Sequence, residues 1–378
     1  MAVNKNDSKV EKDENLIAVV MADDFEEQFG ILTEHKPKCL LPLANKEMIE
    51  YTLEFMQSSN VQDCYVYCSK HVQQIKEHLI QKHWIKSNKN EPLVRRSKMN
   101  VHMIADENCH SFGDAMRDLD EKGILRSHFI LTSADVVSNI NIDSLIKEHT
   151  RRYNENKNTT LTMVYQYANP GHQNRSKSQE VVLVTKRENN RIVYHSRAKN
   201  SFEKKPKGNN RVKFPLDLFS GNTNEETDIR YDLADTGITI CAPTVPLQFA
   251  ERFDCQTLDD FIKGSIEDDI ADHFLFASII GEAGNGNICT GYASKVADFL
   301  TYLSVSYDIL NRWAYPLVPE ANISSIGKKV YTVARHNVYK VRSGTLNITL
   351  KEGRFINSQT KCILLVSYSY ILHFRLPM

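Results

Sequence analysis

Glycine is missing from the start of this chain, since none occurs before Gly30. The apolar segment 16–21, which we predict to be a buried strand, therefore runs into a turn without glycine. A phosphate-binding turn needs glycine, because only a backbone without side chains lets several N–H groups close on a phosphate. The turn instead carries the acidic residues Asp23, Asp24, Glu26 and Glu27, and each close like-charge pair costs up to about 4 kcal/mol near a protein surface. These features argue against a phosphate site here.

Net charge and long apolar runs are also absent. The 47 basic residues cancel the 47 acidic ones, so the charge balance predicts neither DNA nor an anionic membrane as a partner. The first 14 residues are charged and have no apolar centre, so we expect a disordered tail rather than a secretory signal. The longest apolar run, 362–374, is too short and too polar to cross a bilayer.

The eight cysteines lack the short spacings of a disulfide framework or a zinc site. We therefore expect a protein of a reducing compartment, the cytosol, with no bound metal and no cofactor. No serine, cysteine or lysine shows the base and orienting partner that nucleophilic catalysis requires.

Alternating strand and helix patterns fill the first half of the chain. The predicted strands are 16–21, 64–68, 101–105, 129–132 and 160–167, and helical spacing of apolar residues lies between them, as at Ile49, Leu53 and Met56. We place a helix cap at Asn45. This alternation predicts an α/β fold with a mostly parallel sheet, in which ligands bind beyond the carboxyl ends of the strands.

The pattern changes after residue 180. Segments 181–185 and 191–195 predict a hairpin closed by Asn189 and Asn190, and we expect a mobile loop at about 199–227. The loop is basic but poor in aromatic residues, so we predict a solvated insertion without a nucleic-acid role. A strand at 237–241 and two helical stretches within 249–270 follow, and short strand-like pieces begin near Val330.

Several motifs together resemble the epsilon-subunit family of eukaryotic translation initiation factor 2B. They are KPKCLLPLAN at 36–45, IEYTLEF at 49–55, IKEHL at 75–79, DVVSNIN at 135–141, RYDL at 230–233, QTLDDF at 256–261, RWAYPL at 312–317, PEAN at 319–322 and RHNVY at 335–339. A set of motifs is far more specific than any one of them.

The resemblance implies a nucleotidyltransferase-like, Rossmann-like pyrophosphorylase domain, which we place at 15–322. An incomplete left-handed β-helix with an atypical terminus is expected at 323–378. The resemblance further implies a subunit of a decameric factor that promotes GDP-to-GTP exchange on initiation factor 2. Its implied partners are the other subunits, especially gamma, and the gamma subunit of initiation factor 2. We expect the family's C-terminal helical-repeat exchange domain to be missing from this chain.

Three positions match the nucleotide site of active sugar-nucleotide transferases. Lys38 takes the place of a phosphate-binding lysine, and Asp135 that of a magnesium-binding aspartate that follows a glycine, here replaced by Ala134. Gly113 lies in a segment that meets the nucleotide in those relatives; otherwise it simply opens a helix. A single carboxylate without a glycine turn makes a weak site, so we interpret all three positions as vestigial and predict no enzyme activity.

A second candidate site is Arg252, Phe253 and Asp254. The resemblance implies an Asn-Phe-Asp loop here that engages the GTPase subunit of initiation factor 2. Arg252 departs from this pattern, because Arg only donates hydrogen bonds and adds charge. The alternative is that Phe253 covers part of the hydrophobic core.

Three hypotheses remain open from the sequence. The chain is an assembly and docking subunit of the exchange factor, a working nucleotidyltransferase that joins a sugar phosphate to a nucleotide, or a truncated decoy that binds partners without completing exchange.

Overall fold

The computed structural model describes most of residues 15–318, and then short strands between 323 and 371. The first stretch omits residues 24, 26–27, 45, 87–98, 177–179, 198–213, 215–225, 269–271, 282, 285–286 and 289. The expected tail at 1–14 and most of the expected loop at 199–227 therefore lie outside the described residues, as does the expected cap Asn45.

Strands and helices alternate through the first half, as the sequence predicts. The described helices are α1 Leu32–His35, α2 Met48–Ser58, α3 Val72–Gln81, α4 Phe112–Glu121, α5 Ile142–Glu155, α6 Val245–Glu251, α7 Leu258–Glu267 and α8 Phe299–Leu310, with a 3-10 turn at Lys38–Leu40. The described strands up to residue 318 are β1 Ile17–Met21, β2 Pro42–Leu43, β3 Lys46–Glu47, β4 Asp63–Cys68, β5 Asn100–Ala105, β6 Phe129–Ser133, β7 Val136–Ser138, β8 Thr159–Tyr167, β9 Val181–Lys186, β10 Ile192–Arg197, β11 Thr227–Arg230, β12 Leu233–Cys241, β13 Phe274–Ile280, β14 Ala283–Gly284, β15 Asn287–Ile288 and β16 Ala293–Lys295.

A seven-stranded sheet in the order β13-β8-β12-β6-β1-β4-β5 organises the fold. Strand β1 pairs in parallel with both β4 and β6, and only β12 runs antiparallel to its neighbours. This confirms the predicted α/β fold with a mostly parallel sheet. The hairpin of β9 and β10 is also confirmed, with β11 added along the other edge of β9.

The two faces of the sheet bury separate hydrophobic cores. Successive side chains of a strand point to opposite faces; accordingly, Ala18 and Val20 of β1 belong to one core, and Val19 and Met21 belong to the other. All four side chains are at most 5% exposed. The apolar run of β1 thus reflects burial on both sides, which is typical of a central parallel strand.

Side-chain caps fix the start of several helices. The Ser111 side chain accepts from the backbone N–H of Asp114 at α4, and Thr257 and Asp260 form a reciprocal capping box at α7. Each such cap stabilises a helix by about 1 kcal/mol. The caps set where α4 and α7 begin, and both helices border the candidate loop at 252–254.

Short strands follow residue 318: β17 Ile323–Ser325, β18 Val330–Val333, β19 Val338–Val341, β20 Arg354–Asn357, β21 Cys362–Leu364, β22 Val366–Ser367 and β23 Tyr370–Ile371. Strands β19 and β20 pair in parallel, as coils of a β-helix do, but the other three pairs of this sheet are antiparallel. The β-helix therefore stays a prediction. No helix in the described part of the chain has the length and apolar character to cross a membrane.

A buried histidine should make the stability of this domain depend on pH. His149 of α5 is 0% exposed, and burial, followed by the nearby His128 and Arg152, lowers its pKa from 6.5 to about 3. Below about pH 6.5 the unfolded chain takes up a proton at this histidine, whereas the folded chain does not until the pH nears 3. The free energy of unfolding therefore falls as the pH drops from about 6.5 toward 3. We expect about 2 kcal/mol to be lost between pH 7.5 and pH 5 from this group.

Urea unfolding of the purified chain at both pH values measures the loss. His149→Gln, which cannot take up the proton, should show a smaller difference between the two pH values than the original chain. An equal difference in both proteins would mean that His149 is protonated in the folded state.

Candidate functional site

The turn after β1 is occupied by a carboxylate of the chain itself. Asp23 accepts hydrogen bonds from the backbone N–H groups of Ser69 at 2.5 Å and Lys70 at 3.1 Å, which follow β4. Burial raises the pKa of the Asp23 carboxyl, and these donors offset part of the rise. Backbone N–H groups at this edge of the sheet thus bind an internal carboxylate. The other three acidic residues of the turn lie outside the described residues.

Lys38 and Asp135 meet in a buried ion pair. Lys38 lies in the 3-10 turn after α1, and Asp135 lies between β6 and β7, at the carboxyl end of a central strand. The Lys38 Nζ atom is 2.7 Å from Asp135 Oδ2, and the two side chains are 5% and 7% exposed. The Ser133 hydroxyl donates to the other carboxylate oxygen of Asp135. Burial alone would raise the pKa of Asp135, but Lys38 and Lys295 outweigh it and hold this pKa below its ordinary value.

This arrangement fits poorly with a magnesium or phosphate ligand. The two groups that resemble a phosphate-binding lysine and a metal-binding aspartate neutralise each other, and one carboxylate is a poor donor set for magnesium. Ala134 is buried, and its N–H donates to the Met21 carbonyl at 2.8 Å rather than opening toward a ligand. Among the described residues, no group of three potential ligands among His, Cys, Asp and Glu lies close enough to hold a metal ion.

Gly113 has a structural role, because it lies against the backbone of the loop between α6 and α7. Its N–H donates to the carbonyl of Gln256 at 3.0 Å. A Cβ atom at this position would lie 2.1 Å from the carbonyl oxygen of Cys255. Glycine is therefore required for close contact between two backbones, and that contact joins the start of α4 to the loop between α6 and α7.

That loop, residues 252–257, carries the second candidate site. Arg252 turns back to α7, where its guanidinium donates to the Asp268 carboxylate and, at 3.4 Å, to the Ser265 hydroxyl. Its side chain is 22% exposed. Arg252 thus fastens the loop to α7.

Phe253 stands out from the surface with 72% of its area exposed, and Asp254 is exposed beside it. The alternative that Phe253 covers the core is therefore wrong. Its ring centroid lies 5.1 Å from Cζ of Arg117, a residue of α4. The structure brings Gly113 and Phe253 into one region through α4, whereas Lys38 and Asp135 contact each other.

Sequence reasoning missed Arg117. Its guanidinium donates to Asp114 Oδ1 at 2.7 Å and to the carbonyl oxygen of Phe249 at 3.3 Å. The one available signal was its position four residues after Gly113, which places both on neighbouring turns of a helix face. Nothing in the sequence shows that this face would meet a loop from far along the chain.

Comparison with known proteins agrees with this fold. The family model described as nucleotidyl transferase matches residues 17–172. A solved UDP-glucose pyrophosphorylase in complex with UDP-glucose has a TM-score of 0.51 at 14% identity and covers 79% of this chain and 100% of its own. A solved structure from Bacillus anthracis, whose name refers to a glucose-1-phosphate thymidylyltransferase, also has a TM-score of 0.51 at 12% identity. The match covers 83% of this chain and 98% of that one. At these identities the likeness shows the fold alone.

Two curated relatives are more similar in sequence. Translation initiation factor eIF2B subunit epsilon of Schizosaccharomyces pombe is 34% identical over 357 residues, which is 93% of this chain and 48% of the relative. The subunit of the same name from Dictyostelium discoideum is 34% identical over 359 residues, which is 94% of this chain and 46% of the relative. The chain thus spans about half the length of both. Because this similarity extends over nearly all of its residues, the chain is a homologue of the eIF2B epsilon subunits, and its residues 17–172 match the nucleotidyl transferase family.

Proposed function

We propose that this chain is a subunit of the initiation factor 2B complex, where it contributes assembly and substrate docking to GDP-to-GTP exchange on initiation factor 2. The exposed Phe253 on a firmly held loop carries this proposal. Exposed aromatic side chains are frequent anchors of protein interfaces.

The loop at 252–257 is held at two points. Arg252 joins it to α7, and Gly113 joins it to α4. A side chain presented from a fixed loop loses little conformational freedom when a partner binds, so more of the contact energy contributes to affinity. We propose the gamma subunit of initiation factor 2 as the partner of Phe253 and Asp254, and the other subunits of the factor, gamma above all, as partners in assembly.

The Lys38–Asp135 ion pair supports a binding role over enzyme activity. A nucleotidyltransferase would need both side chains free for phosphate and magnesium, whereas each is here the buried counter-charge of the other. Release of pyrophosphate from a nucleoside triphosphate and a sugar phosphate in the presence of magnesium would contradict this part of the proposal. We place the protein in the cytosol, where translation takes place.

Phe253→Ala is expected to weaken binding of the chain to initiation factor 2 by about tenfold, the size of effect typical of an aromatic anchor. Titration of the purified variant against immobilised initiation factor 2 measures this change. Because the ring is mostly exposed, the free energy of unfolding should change by less than about 0.5 kcal/mol.

Ile229→Ala is the matched control, because Ile229 lies on the edge strand β11 and is 54% exposed. It removes a similar apolar side chain from another surface and should leave the dissociation constant within about twofold. Equal affinity of Phe253→Ala and the original chain would refute docking through this loop.

A further inference from the structure

The Arg117 guanidinium is fixed at two points. One amino group donates to Asp114 on the same helix, and the other donates to the Phe249 carbonyl of α6. The Arg117 side chain is only 13% exposed. Burial raises the pKa of Asp114, but hydrogen bonds from Arg117 and Ser111 outweigh burial and hold this pKa below its ordinary value. The positive charge of Arg117 therefore has a defined place and a defined counter-charge.

Phe253 rests on this fixed charge. The separation of 5.1 Å between Arg117 Cζ and the ring centroid is within the range of a cation–π contact. Because 72% of the residue is still exposed, most of the ring surface is left for a partner. The loop backbone is held as well, since the Gln256 side chain donates to the Phe253 carbonyl at 2.8 Å and the Gln256 carbonyl accepts from Gly113.

The charges around the ring are predominantly negative. Arg117 and Arg252 are both paired with carboxylates, Asp114 and Asp268. Glu251 and Asp254 flank Arg252 and Phe253 in the sequence and are exposed. Neither forms an ion pair within the described part of the chain, and Glu251 acts electrostatically on the nearby His273. The surface formed by Glu251, Phe253 and Asp254, here called the Phe253 surface, therefore combines an exposed aromatic ring with two exposed carboxylates within two residues of it along the chain.

We propose that Arg117 is the positioning residue of the Phe253 surface, and that this surface fits a protein partner with an apolar pocket bordered by lysine or arginine. The inference rests on the proposed docking function and specifies its geometry and its chemistry. The ring enters the pocket, Arg117 holds the ring in its exposed orientation, and the two carboxylates meet the basic border of the pocket. Helix α4, which carries Arg117, thereby supports a protein contact.

A double-mutant cycle with initiation factor 2 as the probe tests the role of Arg117. Arg117→Met keeps the length of the side chain and removes its charge and its donors. We expect it to weaken binding by about threefold to tenfold, as loss of a cation–π contact and its anchoring predicts. In combination with Phe253→Ala it should add no further loss, because Arg117 acts through the ring. Arg117→Lys, which keeps a positive charge near the ring, should bind with intermediate affinity.

Arg151→Met on α5 is the control, since Arg151 is 47% exposed and pairs with surface carboxylates. Its affinity should equal that of the original chain. If Arg117→Met and Phe253→Ala weaken binding additively, Arg117 does not act through Phe253 and the inference is overturned. If Phe253→Ala itself has no effect, the proposed docking function fails as well, so the two failures are distinguishable.

The salt dependence of binding tests the partner chemistry. A contact between the two carboxylates and basic side chains weakens as salt screens it. The double variant Glu251→Gln/Asp254→Asn should therefore bind more weakly than the original chain at 50 mM salt (about threefold or more) and should approach it at about 500 mM. An unchanged salt dependence would rule out a basic border on the partner's pocket.

Discussion

Replacing Lys38 by methionine is expected to lower the free energy of unfolding by about 3–5 kcal/mol, the usual result of removing one partner from a buried ion pair. The Asp135 carboxylate would stay in a site that is 7% exposed, without the amine that lies 2.7 Å away. Lys295 and Ser133 would remain near it, but neither replaces that direct contact. Urea unfolding followed by circular dichroism measures the loss.

Two further variants make this prediction specific. Lys38→Met combined with Asp135→Leu removes both charges and should recover much of the lost stability, because an uncompensated buried charge is what destabilises the single variant. Lys263→Met is the control, since its ion pair with Glu267 spans 3.7 Å between side chains 66% and 65% exposed. It should change stability by less than about 0.5 kcal/mol. A loss below about 1 kcal/mol for Lys38→Met would show that water reaches Asp135 and that the site is more open than its geometry indicates.

Replacing Gly113 by alanine is expected to act on stability and on binding together. The new Cβ atom would lie 2.1 Å from the Cys255 carbonyl oxygen, so a backbone segment has to move. Such overpacking costs about 1–3 kcal/mol of stability. Because the displaced segment carries Phe253, affinity for initiation factor 2 should fall at least as far as it does in Phe253→Ala. Unfolding and binding measurements on one preparation follow both effects.

Gly264→Ala is the matched control. Gly264 lies within α7, and an added Cβ atom would meet the Arg252 guanidinium at 3.6 Å, an ordinary contact distance. Alanine favours a helix over glycine by about 1 kcal/mol, so stability should stay equal or rise. If Gly113→Ala kept full stability and full affinity, the close contact between α4 and the loop would have no bearing on docking.

Local patterns were sufficient for the fold class. Burial of β1 on both faces gives a continuous apolar run, and helical periodicity marks α2 and α3, so periodicity alone predicted the alternation. The antiparallel course of β12 could not be predicted, because a strand's apolar pattern does not record its direction. The family motifs likewise identified Lys38, Gly113, Asp135 and Phe253 as positions of interest, without giving the contacts of any of them.

The sequence by itself determined the α/β fold, the family resemblance, and the absence of a glycine-based phosphate turn, because periodicity, short motifs and local composition can each be read without knowing which segments pack together. Only the tertiary structure decided that Lys38 neutralises Asp135, that Phe253 is exposed rather than buried, and that Arg117 lies beneath its ring. These contacts join segments far apart in sequence. Their energy depends on distance and burial, which exist only after the sheet and its helices have packed.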